Sequence, residues 1–170
     1  MAAIHVCPLS KLDAILADSR AEWLATLVGV DAAVARPATI AEDRHLVLRM
    51  SDISAALDGH VLPNDKHVRT LLDFVDRWDR RTPLLMHCFA GVSRSTAAAF
   101  VATCSLMPHR GESDIARALR VASFSATPNA RIVELGDHLL GRNGRMIAAV
   151  AQIGRGADCF EGVPFRLEID

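Results

Sequence analysis

The chain has 170 residues, 51% hydrophobic and 23% charged, with a formal net charge of -1; this is the composition of one globular domain and excludes an intrinsically disordered chain. The near-neutral balance lacks the basic footprint of a nucleic-acid-binding or membrane-surface protein, so any attraction for an anionic substrate must be local. No apolar run approaches the ~18 residues of a membrane span, and the N-terminus lacks the basic, apolar and small-residue order of a secretory signal, so a cytoplasmic protein with neither nucleic acid nor membrane as partner is expected.

In chain order, the apolar Ile4–Cys7 reads as a first strand. Ser10 is placed to cap a helix over Lys11–Asp18, where Leu12, Ile15 and Leu16 share a face. Leu24–Val30 reads as a second strand, Ala32–Ala41 as a loop or broken helix around Pro37, and His45–Met50 as a third strand. Ser51–Asn64 has the Asp, Gly and Pro content of a long loop. Asp65–Arg81 is amphipathic, with Val68, Leu71, Leu72, Val75 and Trp78 at helical spacing, and ends at Thr82-Pro83.

Leu84–His87 is a short apolar run of the kind buried in the middle of a sheet. Cys88–Ser93 is a loop, and the alanine-rich Arg94–Met107 a helix able to pack closely against that sheet. Further helices are expected over Glu112–Ala122, from Pro128-Asn129 to about Leu140, and over Arg145–Ile153. The alternation of strands and helices predicts a single α/β domain over residues 1–153, with a mainly parallel sheet of four to five strands and helices on both faces. Residues 154–170 are expected as a tail that docks in extended form or stays partly mobile. In such folds ligands bind beyond the carboxyl ends of the strands, where Cys88 stands.

Of the four cysteines, Cys7, Cys88, Cys104 and Cys159, no spacing matches a zinc site or a dense disulfide framework. The histidines are scattered without ligand spacing, and no metal or cofactor is expected. Cys88 is set apart by its surroundings, His87-Cys88-Phe89-Ala90-Gly91-Val92-Ser93-Arg94-Ser95. A strand delivers a cysteine to a short loop that runs into a helix. The loop N–H groups of Phe89 to Ser93 can turn inward to line an anion site, and the helix N-terminus adds unpaired donors. Gly91 permits backbone angles closed to other residues. Arg94 offers a planar fork of donors matched to two phosphate oxygens. A thiol in that setting is driven toward thiolate, ready to attack phosphorus and form a phosphocysteine. Ser95 is placed to hydrogen-bond the sulfur, and His87 to hold the loop.

This His-Cys-x5-Arg-Ser signature resembles that of the cysteine-dependent protein tyrosine phosphatases, and Ala90–Ser95 is most similar to their dual-specificity branch. The resemblance covers about Leu46 to Leu140. It implies a phosphotyrosine protein phosphatase-like fold and hydrolysis of phosphate monoesters, with phosphotyrosine protein as the default substrate and phosphoserine or phosphothreonine protein, nucleotide ends or small phosphate esters as others. It also implies a general acid on a loop upstream of the cysteine. Asp52 fills that description, with Asp58 as rival, and Asn129 is similar to the asparagine that opens a late helix in those enzymes. The loop carries no lysine of the kind that suits a polyanionic head group, and Phe124 and Trp23 are the candidates for a wall beside the pocket. Two other readings share the cradle: a module that holds a phosphorylated partner without turnover, and a thiol-redox enzyme of arsenate-reductase type.

Overall fold

Every residue of Trp23–Val28 and of Leu84–Cys88 is buried, so these two runs require cover on both faces. A computed structural model, which describes residues 2–169, supplies it. The strands are β1 (Ala2–Pro8), β2 (Trp23–Val28), β3 (His45–Arg49), β4 (Leu84–Cys88) and β5 (Phe165–Ile169). They form one sheet in the order β3-β2-β4-β1-β5, with β5 antiparallel to β1 and the other pairings parallel. The expected α/β architecture with a mainly parallel five-stranded sheet is the one observed.

The two faces are covered unequally. Helix α1 (Leu12–Ser19) lies on one, where Leu12, Ile15 and Leu16 meet Cys7, Leu24 and Leu85. The other face carries α2 (Asp65–Arg77), α3 (Arg94–Leu106), α4 (Glu112–Ala122), α5 (Ala130–Leu139) and α6 (Arg145–Ile153), which share the main core with Ile4, Val6, Leu84, Met86 and Cys88. Helix α3 is buried from Arg94 through Cys104. A helix wrapped on all sides needs no amphipathic stripe, and its alanines let the sheet, α2, α4 and α5 approach together.

Local departures from the sequence expectations have local causes. Ser10 does not cap α1; a single 3-10 turn over Leu9–Lys11 precedes the helix, Lys11 holds the cap position, and Ser10 Oγ donates to Glu161 Oε2 at 2.7 Å. Helix α2 ends at Arg77 rather than Arg81, because Trp78 turns extended (ψ 118°) to bury its indole and donate its N–H to Thr82 O at 2.8 Å. Asn64 begins α2 with a reciprocal capping box, its side chain accepting from His67 N–H while the His67 ring accepts from Asn64 N–H.

Beyond α6, residues 154–164 run back toward the loop after β4, and Phe165, Leu167 and Ile169 then turn inward as alternate residues of β5. The segment set apart in sequence as a tail thus contributes the edge strand next to β1. Residues 1 and 170, the outer limits of the two expected ranges, lie outside the described residues. Among the described residues no helix is long and apolar enough to cross a membrane.

Candidate functional site

The sheet aims four parallel carboxyl ends in one direction, and the Cys88 loop leaves the central one. Its peptide orientations can be read from what its carbonyls accept. Leu9 N–H donates to Phe89 O at 3.0 Å, Gly162 N–H to Ala90 O at 2.8 Å, Thr127 N–H to Val92 O at 2.9 Å and Asn129 N–H to Ser93 O at 3.2 Å. Those partners surround the loop from outside. Across a trans peptide the next N–H points opposite to the carbonyl, and every described peptide is trans. The N–H groups of Ala90, Gly91, Ser93 and Arg94 therefore face the hollow of the loop. Gly91 reports the direction, its N–H lying 3.3 Å from Cys88 Sγ.

Gly91 is required here twice over. Its φ is +68°, and a β-carbon would fall 2.6 Å from Pro8 N and 2.8 Å from Cys7 C at the end of β1. On the other side Gly162 lies so close that a β-carbon there would meet Gly91 O at 2.9 Å. The loop is thus clamped between β1 and the returning C-terminal segment, with four of its carbonyls anchored.

Cys88 Sγ is buried and has a second hydrogen-bond partner, Ser95 Oγ at 3.1 Å, on the first turn of α3. Arg94 is 9% exposed. Its Nη1 donates to Met50 O at 2.9 Å, while its buried Nε has no partner among the described residues. A buried guanidinium with an unpaired N–H beside inward-facing amides is chemically suited to hold an oxyanion.

Asp52 lies at the rim of the same hollow, held by two donors on one oxygen: Ser93 Oγ at 2.7 Å and Asn129 Nδ2 at 2.9 Å reach Oδ1. Asn129 also caps α5 by accepting from Ile132 N–H, and donates to Ile53 O at 3.2 Å, so one side chain fixes both a helix start and the Asp52 loop. Asp58 is elsewhere: it precedes Gly59 (φ +76°) in a turn closed by His60 N–H to Leu57 O. Of the two candidate wall residues, Trp23 is core, edge-on to Phe74. Phe124 is 60% exposed and does not line the cleft beside the loop.

His87 sits on the α1 face behind the cysteine. Its Nδ1 lies 3.4 Å from Cys88 O, and its Nε2 lies 2.8 Å from Thr26 Oγ1, which in turn lies 3.0 Å from His45 Nε2. A chain with each donor matched to one acceptor has His45 Nε2–H donating to Thr26, Thr26 O–H to His87 Nε2, and His87 Nδ1–H to the Cys88 carbonyl. This arrangement needs a neutral His87, and burial pushes its pKa down to about 4, against the Cys88 carbonyl that raises it, with His45 lowering it further. Between that value and the ordinary 6.5 the unfolded chain takes up a proton that the folded one refuses, so stability is full above pH 6.5 and falls as pH drops toward 4. The urea midpoint is expected to fall over this range by the equivalent of at most ~3 kcal/mol from His87 alone. The fall should be shallower in His87→Gln; an unchanged pH slope would refute the assignment.

The other two buried thiols are poor nucleophiles, since burial pushes both Cys7 and Cys104 up to about 12, helped by Cys88 near Cys7 and by Glu112 near Cys104. Cys159 is exposed, and all four cysteines are free.

No protein-family model matches the chain, and no curated protein matches it by sequence. Solved structures do. The PTP-2 phosphatase of Cydia pomonella superposes with a TM-score of 0.62 at 17% identity, covering 79% of this chain and 84% of that one. Human DUSP28 superposes with a TM-score of 0.60 at 17% identity, over 82% and 94%. The chain has the fold of the dual-specificity and tyrosine phosphatases. A third structure with this phosphatase fold, the human tyrosine phosphatase-like serine/threonine/tyrosine-interacting protein, superposes with a TM-score of 0.59 at 17% identity, over 81% and 87%.

Within the phosphatase fold, this chain brings Cys88, Arg94, Ser95, the loop 89–93, Asp52 and Asn129 together and leaves Asp58 out. Sequence reasoning missed Thr26 and His45, which hold His87, and Gly162, which holds the loop from outside. A threonine in the middle of an apolar strand was the one available signal for the first. Glycines at 156 and 162 ahead of an alternating apolar run were the signal for the second.

Proposed function

We propose that the chain is a cysteine-dependent phosphatase that hydrolyses phosphate monoesters through a phosphocysteine at Cys88. One observation carries this reading: a buried sulfur at the floor of a hollow lined by inward-facing amides, beside which the Nε of buried Arg94 is a donor without an acceptor among the described residues. A bound phosphate supplies that acceptor. In the first step the Cys88 thiolate attacks phosphorus and the P–O ester bond breaks, with Arg94 and the loop amides holding the equatorial oxygens.

Asp52 is the general acid in this reading. Its Oδ1 is occupied by Ser93 and Asn129, which leaves Oδ2 to protonate the departing oxygen and then to take a proton from the attacking water. Ser95 stabilises the thiolate as it leaves phosphorus in the second step. His87 and Asn129 position the loop and the acid without touching substrate. The chemistry as written uses no metal. The likeness to tyrosine and dual-specificity phosphatases makes phosphotyrosine protein, then phosphoserine and phosphothreonine protein, the reference substrates against which others are compared.

The test is hydrolysis of para-nitrophenyl phosphate in the presence of a chelator. Asp52→Ala is expected to lower kcat by roughly a hundredfold or more, and Asp58→Ala to leave it near native. Equal losses in the two variants, or none in Asp52→Ala, would move the acid to another residue. Absence of turnover by folded native protein that still binds inorganic phosphate would instead mark a phosphate-binding module.

A further inference from the structure

A long cleft opens beside the cradle on the α1 face of the sheet. It encloses about 400 Å³ between Leu12, Val28, residues 32–35 and Phe89, with Thr26 and His87 at its floor and Asp52 and Arg94 at one end. Its length follows from the sheet order. Asp52 follows β3, Val28 ends β2, Phe89 follows β4 and Leu12 follows β1, and these are four consecutive strands. Three steps of about 4.8 Å between neighbouring strands make the cleft roughly 14 Å long.

The wall is preformed. Arg49 at the end of β3 donates from Nη1 to Ala32 O at 2.8 Å and to Val30 O at 3.1 Å, which pins the start of the 29–35 segment over the strand ends. The walls are largely aliphatic, with Phe89, 61% exposed, at the mouth beside Leu9, itself 45% exposed, and the polar members Thr26, Ser51, Asp52, His87 and Arg94 lie at the floor and the cradle end. The polar atoms of the floor are bonded to each other, Thr26 Oγ1 to His87 Nε2 at 2.8 Å. Arg94 is the one arginine or lysine among the lining residues, and it belongs to the cradle.

We propose that this cleft receives the alcohol half of the substrate, and that this half is a single neutral aliphatic chain, so that the preferred substrate is a monoalkyl phosphate. The inference rests on the phosphatase reading above. The phosphate takes the cradle and Arg94, and no second cation waits for another anionic group, which disfavours inositol polyphosphates and nucleotides. A phosphoserine would leave the cleft empty, and a phosphotyrosine ring is shorter than its length. An extended alkyl chain buries against Val28, Val34 and Leu12 and covers Phe89. The bookkeeping closes without a further reactant. The thiolate forms a bond to phosphorus, the P–O(alkyl) bond breaks, and Asp52 gives its proton so that a neutral alcohol leaves. Water then attacks phosphocysteine, its proton returns to Asp52, and inorganic phosphate and thiolate are restored.

The experiment measures kcat/KM for ethyl, butyl, hexyl, octyl and decyl phosphate, below their micelle concentrations, beside para-nitrophenyl phosphate and a phosphotyrosine peptide. A rise of roughly two- to fourfold per methylene is expected until the cleft is filled, the gain that burial of a methylene supports. The decyl ester should exceed the phosphotyrosine peptide. In Val34→Asp, with its fold checked by thermal melting, the chain-length slope should flatten. A flat or falling series, or preference for the peptide, while the aryl ester is still hydrolysed, overturns the aliphatic assignment and leaves the phosphatase reading standing. No turnover of any ester overturns both.

Discussion

Cys88→Ser is expected to lower turnover of para-nitrophenyl phosphate by at least about a thousandfold while leaving phosphate binding in place. The two donors at the sulfur, Gly91 N–H at 3.3 Å and Ser95 Oγ at 3.1 Å, can stabilise a thiolate but do not ionise an alcohol at neutral pH. Asp52, the acid of the proposed first step, must carry its proton there and so cannot serve as a base to help a serine. The neighbouring His87 is turned to the opposite face of the sheet, with its ring nitrogens near Thr26 and the Cys88 carbonyl. The cradle does not depend on the sulfur, because its carbonyls are held by Leu9, Gly162, Thr127 and Asn129. Calorimetric titration with inorganic phosphate should therefore give similar affinity in the variant. A rate near native in folded Cys88→Ser would remove Cys88 as the nucleophile.

Arg94→Lys is expected to cost about a hundred- to a thousandfold in kcat, and the conservative replacement should do little better than Arg94→Ala. One arginine here serves two sites at once in the proposed mechanism: Nη1 holds Met50 O, and Nε, without a partner among the described residues, is free to meet phosphate. A single ammonium offers no fork and cannot keep both. Met50 directly precedes Ser51-Asp52, so losing its tether also loosens the Asp52 loop from the end of β3. The buried Met50 carbonyl left without a donor adds a stability cost of about 1–3 kcal/mol. Steady-state kinetics with phosphate titration and thermal melts checks both parts; native-like kcat in Arg94→Lys would mean that the planar fork is not used.

The chemistry that was legible in the sequence was contiguous. A strand, a six-residue loop and a helix carry Cys88, Gly91, Arg94 and Ser95 in one run, and their relative placement follows from local backbone geometry. The same holds for the parallel sheet, where the mainly apolar β4 and the amphipathic α2 announce their environments by residue pattern alone. Asp52 was legible only as one of two aspartates on a long loop, since nothing local distinguishes it from Asp58.

What sets Asp52 apart is a hydrogen bond from Asn129, 77 residues later in the chain at the start of α5, together with one from Ser93. The pairing of His87 with Thr26 and His45 likewise exists only because β4 lies beside β2, and β2 beside β3. The C-terminal segment shows the limit most clearly. Its glycines and alternating apolar residues were visible, but not that Gly162 would donate to Ala90 O and close the cradle from outside.

By itself, then, the sequence determined the Cys88 loop, the helices and the class of sheet, because propensity and periodicity act over a few residues. Strand order, the placement of Asp52 rather than Asp58 beside the Cys88 loop, the brace behind His87 and the cleft across four strand ends were decided by the tertiary structure. Each depends on a hydrogen bond or a wall shared by segments that only the packed sheet brings within reach.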